Sequence, residues 1–465
     1  MGQVRLALLP KPAPSLSTLL NISEIDHLEY FHLVAIRSFS SHFGDSLWSK
    51  TVLQISHSEA SIRTAVSALS SVLKRLSSSL QTTDKSESTG DYVQAIRALN
   101  HRLDGSKLSW KLALISSLLF TAFEALVGTD KAALQHLRAG FAMLREYSSK
   151  FQQPSEDFRD LANAFSSFDI QASTFALLYS PMHSSLTSIP PCFVSIREAR
   201  ESLDSIVAYI HTVWKSYGCR KYRTLPYTTL PSSLSKQVND IKALLDQWST
   251  TYTTFLALST CRLSPAAVQI LKIQHITAKI QIETYFYRDQ LVYDAFTSGF
   301  TQIITLASAV AEKLLIDSDG MAPSFSFEVR IIPSLYFTAC RCRNTMLRRR
   351  AIGLLEKSGA EGLWDGKTMA AAARWALKLE EEGGDGVDDF IPEERRLREI
   401  GVAVDRIAKR VRVASSRRVA DGSTDYVSDN VGWGENTGVV VEDEAGLLLW
   451  TEEWRNYTEA SSPSS

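Results

Sequence analysis

Thiolates and imidazoles are the side chains best suited to hold a metal or attack a substrate, so their spacing comes first. Five cysteines stand at 192, 219, 261, 340 and 342, and nine histidines are dispersed through 465 residues. A binuclear zinc cluster needs six thiolates in two C-x2-C-x6-C-like groups, because each metal must complete a tetrahedral shell. No cysteine precedes Cys192, and only Cys340 and Cys342 are close neighbours. On a helix that pair reads as two small apolar side chains. The arginines beside it keep open a second reading, a thiol of lowered pKa and raised reactivity. His27 and His32 lie five apart, off a common helix face, and His136 and His275 stand alone in periodic stretches, where a packed, hydrogen-bonded ring is the plainer reading. The sequence contains no H-E-x-x-H, no G-x-S-x-G and no phosphate-binding P-loop. Gly432, Gly434 and Gly438 echo a phosphate loop but lack the preceding strand and following helix that would aim amides at a phosphate. No catalytic residue, metal ligand or cofactor is assigned, and the chain is not expected to be an enzyme.

Two basic clusters remain. Arg341, Arg343, Arg348, Arg349 and Arg350 fall on an expected helix, and Lys409, Arg410, Arg412, Arg417 and Arg418 form a second group. The plainest reading is a solvated face paired with carboxylates such as Glu356 or Glu380. The functional readings are phosphate contact and a nuclear-import signal centred on Arg348, Arg349, Arg350, Lys409, Arg410 and Arg412; short, interrupted clusters fit import better. The aromatic group Tyr285, Phe286, Tyr287, Tyr293 and Phe296 could line an apolar pocket, although core packing explains it more simply.

Composition narrows the class. Lys and Arg total 50 against 51 Asp and Glu, so the basic excess of a nucleic-acid-binding domain is missing. Sparse, odd-numbered cysteines argue against a disulfide framework and for a reducing compartment. The apolar run Leu6–Leu9 is too short for a signal peptide before Pro10, and Leu6 occupies the place where myristoylation after Gly2 needs Ser or Thr.

The elements that must position these groups read as helices. Ser109 to Tyr147 forms an expected hairpin about Gly128, Thr129 and Asp130. Its first arm is apolar nearly all round, and only twelve uncharged residues separate Lys111 from Glu124, too few to span a membrane. The second arm carries Leu134, Leu137, Phe141 and Leu144 at spacings of three and four. Capping boxes are read at Ser56 with Glu59 and at Ser195 with Glu198, and Ser264-Pro265 opens a helix expected to run toward Phe296. Shorter, more charged helices are expected at Phe327–Arg341, Asn344–Leu355, Lys367–Glu382 and Glu393–Ile407. The runs Gly438–Val441 and Leu447–Trp450, about the turn Glu442–Gly446, suggest a short hairpin. The expected fold is therefore all-α, with any strand confined to the last thirty or so residues. Its parts are a linker-like stretch 1–22, a helical core 23–325, a charged helical layer 326–415 and a tail 416–465.

Three segments carry a family resemblance: Ser46–Leu73, with its tryptophan, its His57-x-Glu59 and a periodic helix; the hairpin, above all Ala132–Gly140; and Phe325–Gly366. Together with the helices between them they resemble the regulatory (middle homology) domain of fungal binuclear zinc-cluster transcription factors. The resemblance implies an all-helical, nuclear, non-catalytic regulator, often of metabolic or secondary-metabolite gene clusters. It also implies a protein partner or a homodimer. The zinc-cluster half has no counterpart here, so the family's DNA-contact residues have no positions to be carried onto, and no sequence-specific DNA binding by this chain alone is expected. The alternative is a helical small-molecule-binding or enzymatic protein that reuses the scaffold.

Overall fold

A computed structural model describes residues 22–39, 42–43, 47–77, 90, 92–97, 110–127, 130–148, 155–175, 181, 188–216, 230–259, 263–287, 289–317, 325–326, 328–382, 390–398, 400–405, 410–419 and 423–432. It is mostly helical. The first group of helices is α1 (Ile22–Tyr30), α2 (Ile36–Phe39), α3 (Leu53–Ser58), α4 (Ala60–Ser77), α5 (Trp110–Val127), α6 (Asp130–Ser148) and α7 (Glu156–Phe175). Every residue from Leu112 to Leu126 in α5 is buried, so the helix with no polar face is the one enclosed by α4, α6 and α7. By composition it could cross a membrane, yet 83% of it is covered by the protein's own helices, as befits a core helix. Its single internal carboxylate, Glu124, accepts a short hydrogen bond from the Tyr92 hydroxyl, and the Tyr92 ring stacks on Phe123 at 4.2 Å. The hairpin partner α6 comes close because residue 140 is glycine: a Cβ there would collide with the Phe165 ring of α7 and with Ser117 Oγ of α5.

The second group is α8 (Ile196–Ser216), α9 (Ser232–Leu258), α10 (Pro265–Thr284), α11 (Thr297–Asp317), α12 (Ile332–Arg341), α13 (Thr345–Lys357) and α14 (Gly366–Glu381). Trp248 of α9 anchors it, fully buried, with its indole N–H donating to Ala199 O at 2.8 Å and its ring stacked on Tyr252 and His275. A small sheet ties the two groups together. Strands β1 (Phe325–Ser326) and β2 (Ala360–Glu361) run parallel, and β2 turns back into β3 (Trp364–Asp365). Gly362 makes that turn at a φ of 57°, and the next amide, Leu363 N–H, donates to Gln171 Oε1 of α7 at 3.1 Å.

Local cap chemistry explains several helix starts. Ser264 accepts from Ala267 N–H with Pro265 in the first turn. Ser195 Oγ accepts from Glu198 N–H, while the Glu198 carboxylate reaches back to Val194 N–H, a capping box displaced by one residue. The box read at Ser56 is different. Ser56 lies inside α3, its hydroxyl turned onto Leu53 O, and Glu59 takes the extended conformation that separates α3 from α4.

Two further expectations are corrected. The helix from Ser264 ends at Thr284, and residues Gln290–Phe296 form a 3-10 helix whose first amides, Gln290 and Leu291 N–H, donate to the distant Glu393 carboxylate. The expected helix Glu393–Ile407 is mostly strand. Only Glu393–Arg395 is a 3-10 turn; β4 (Ile400–Asp405) pairs antiparallel with β5 (Arg410–Arg418), which pairs with β6 (Thr424–Gly432). Val402 and Val404 alternate as a strand does and pair with Val413 and Val411. Strand therefore begins well before the last thirty residues. The inner face of this meander, with Val411, Val413 and Val431, packs on Ala371, Ala372, Trp375 and Ala376 of α14, whose alanines admit the sheet. The hairpin expected at 438–450 lies outside the described residues.

Candidate functional site

The first basic cluster is an interior structure. Asn344 caps α13 through Leu347 N–H, and the helix then turns Arg348 inward with Ala351, Ile352 and Leu355. Arg348 is fully buried; it donates to Glu380 Oε2 of α14 at 2.6 Å and, through Nε, to Ala339 O at 2.8 Å. Arg343 donates to Glu380 Oε1 at 2.8 Å, and Leu397 N–H donates to the same oxygen at 2.6 Å. Burial pushes the Glu380 carboxyl up, but Arg343 and Arg348 outweigh it and hold the group below its ordinary range. Burial lowers Arg343 to about 10, still cationic at neutral pH.

Of the import residues, then, Arg348 is withdrawn from any receptor because its charge is spent on Glu380 inside the fold. Arg349 is exposed and pairs with Glu381 at 3.1 Å, and Arg350 reaches Ser308 Oγ at 3.2 Å from the surface. Arg410 and Arg412 lie on β5, opposite Asp405 and Ala403, rather than on a helix or loop, and Arg412 is half-buried. Lys409 lies outside the described residues. Arg417 pairs with Asp425 and Arg418 with Asp289.

Cys340 sits inside α12 and Cys342 at its C-cap, both buried. Burial pushes the Cys340 thiol up to about 11 against the pull of Arg341 and Arg348, so the low-pKa reading of this pair is overturned. Among the described residues no group of three or more His, Cys, Asp or Glu side chains is placed to hold a metal. The lone histidines are packed: His27 Nδ1 meets Ser67 Oγ at 3.0 Å, His136 Nε2 meets the Tyr92 hydroxyl at 3.1 Å, and His275 Nε2 meets Leu245 O at 3.0 Å. The aromatic group also packs, Tyr285 against Trp214 and Tyr293 against Phe337 and the Arg341 guanidinium.

Two polar constellations escaped the sequence reading. The carboxylate of Glu361 accepts from the amides of Arg330, Ile331 and Ile332, neutralising the N-terminus of α12. The other is a cavity of about 70 Å³ between α7, α8, α10 and α12. Asp204 and His211 line it from α8, seven residues apart and therefore on one face, with Gln171, Thr277 and Ser334 from the surrounding elements. Arg200, also from α8, lies 3.4 Å from Asp204 and pairs closely with Glu328. Burial drives His211 down to about 3 and Asp204 up to about 6, the latter against Arg200 and with Glu328 adding to the rise. The spacing of Asp204 and His211 was the only local signal of this cavity, since its other walls come from remote segments.

The chain belongs to the family of the fungal specific transcription factor domain, whose model matches residues 26–361. That match runs from α1 to the end of β2; it takes in the first two segments on which the resemblance rested and the third as far as Glu361. No curated protein and no solved structure matches the chain. Family membership makes the protein a transcription regulator by class.

Proposed function

We propose that this regulator works in the nucleus through protein contacts, controlling a fungal metabolic or secondary-metabolite gene cluster without reading DNA itself. The observation that carries the reading is the fate of the basic residues within a transcription-factor scaffold. Arg343 and Arg348 pair with Glu380, Arg349 with Glu381 and Arg417 with Asp425, so these four charges that could anchor phosphates are compensated within the protein. Exposed apolar side chains on the first helical segments, Ile25, Leu33 and Val34, favour a protein partner, either a DNA-reading regulator or a second copy of the chain. Import would draw on the exposed Arg350, which contacts the Ser308 hydroxyl.

The reading is tested by fusing the protein to an unrelated DNA-binding module in a fungal host that carries a reporter with that module's sites. The expected result is altered reporter transcription that depends on the fused protein. An unchanged reporter, with the fusion present in the nucleus at normal abundance, overturns it.

A further inference from the structure

His211 is almost wholly buried, yet neither of its ring nitrogens has a hydrogen-bond partner. Buried polar groups are nearly always paired, so an unpaired ring lining a cavity marks a place where something else completes the bonding. Val207 and His211 line that cavity from one face of α8, and Gln274, Thr277 and Gln281 from one face of α10. The lining carries no net charge. Its charged members, Arg200 and Asp204, lie 3.4 Å apart and cancel. Glu328, the second carboxylate on Arg200, has Arg330 beside it, and the charge acting on His211 itself is Lys215 of the same helix.

The uncharged groups decide what fits. Thr174 and Thr277 commit their hydroxyl protons to the carbonyls of Gln171 and Ile273, at 2.9 Å each, and keep lone pairs for the cavity. Gln274 donates its side-chain N–H to Val329 O at 3.1 Å and keeps its amide oxygen. The side-chain amide of Gln281 has no partner among the described residues. The neutral His211 ring adds one donor and one acceptor. Ile170 and Val207 give the cavity an apolar wall.

We propose that this cavity binds a small uncharged polyol, its hydroxyls completing the bonding of His211, Gln274, Thr277 and Gln281 and its carbon chain lying against Ile170 and Val207. A hydroxyl both donates and accepts, as these groups together require, whereas an ammonium only donates and a carboxylate only accepts. Either ion would also enter a lining with no charge left to neutralise it. The open groups are spread over three helices, which suits hydroxyls on successive carbons better than one planar amide. The cavity measures about 70 Å³ and a single water needs about 10–15 Å³ of such space, so a molecule of about five or six heavy atoms fits. Val207, Gln274 and Gln281 are half-buried, which leaves a way in among the described residues. The site goes beyond the regulatory reading and does not depend on it.

The test uses the purified full chain at neutral pH with glycerol as the probe, and propan-1-ol, ethylammonium and acetate as controls. The readout is the imidazole nitrogen resonances of His211. Saturable movement of these resonances with glycerol is expected, and none with either ion. Propan-1-ol, which lacks two of the hydroxyls, should bind about tenfold or more weakly, and Gln281→Leu should weaken glycerol binding by about the same factor. His211 resonances that stay unmoved by glycerol, or drift without saturating as they would in a bulk additive, overturn the proposal. So does an equal response to propan-1-ol, a preference for either ion, or unchanged binding in Gln281→Leu. The wild-type resonances decide the matter even if the variant does not fold, and a negative result leaves the regulatory reading standing.

Discussion

Arg348 and Glu380 form an ion pair of 2.6 Å with neither side chain exposed, and Arg343 occupies the other oxygen of the same carboxylate. This knot joins α13 to α14 and, through Leu397 N–H, to the segment that leads into β4. Removing the shared anion would leave two guanidinium groups buried together. Glu380→Ala should therefore cost about 3–5 kcal/mol, whereas replacing all three residues with apolar ones of similar volume should cost much less. Chemical denaturation of the two variants checks this; equal losses would show that the ion pairs are not the source of the penalty.

Gly140 permits the approach of α6 to Phe165 and Ser117. Gly140→Ala should destabilise the protein by about 1–3 kcal/mol, despite the better helix propensity of alanine, because the Phe165 ring must move. A thermal melt at or above the wild-type temperature would mean that the helices separate freely at this point.

Leu119 lies in the middle of α5 with 1% of its surface exposed. Leu119→Asp should abolish cooperative folding, since an unpaired carboxylate would stand in an apolar core. A soluble variant with a sharp melting transition would contradict the burial of this helix.

The cavity residues give a pH signature. His211 binds its proton in the unfolded chain near 6.5 and in the fold only near 3, so its contribution to stability is present above 6.5 and lost as the pH falls toward 3. Asp204 is the reverse: raised from 3.8 to about 6, it contributes stability below 3.8 that is lost as the pH rises through 6. Relative to wild type, His211→Gln should lose stability as the pH rises across 3–6.5, and Asp204→Asn should gain it across 3.8–6. Each slope approaches at most about 1.4 kcal/mol per pH unit. Difference slopes of the same sign, measured by denaturation across this range, would contradict the assignment.

What could be read before the structure was local. Ser264-Pro265 and the Ser195–Glu198 pair announced their helices because a cap acts within four residues. The burial of α5 followed from an apolar pattern that leaves no face for water. Ser56 and Glu59 misled by a few residues because the break between α3 and α4 falls at Glu59 itself. The strand at Val402 and Val404 was hidden by neighbouring charges and depends on Val411 and Val413, partners that only the meander supplies. The 3-10 helix after α10 starts on Glu393, more than a hundred residues away, and the cavity depends on four helices whose meeting no short motif records.

We propose that this transcription-factor scaffold regulates without reading bases. Recognition of sequence needs donors and acceptors aimed at base edges and cations anchoring the phosphates around them. Arg343, Arg348, Arg349 and Arg417 are engaged by Glu380, Glu381 and Asp425. The most direct measurement is a titration of promoter fragments with the purified chain alone at physiological salt. Weak binding, indifferent to sequence and lost as salt is added, is expected. A tight complex that distinguishes one promoter sequence from another would contradict it.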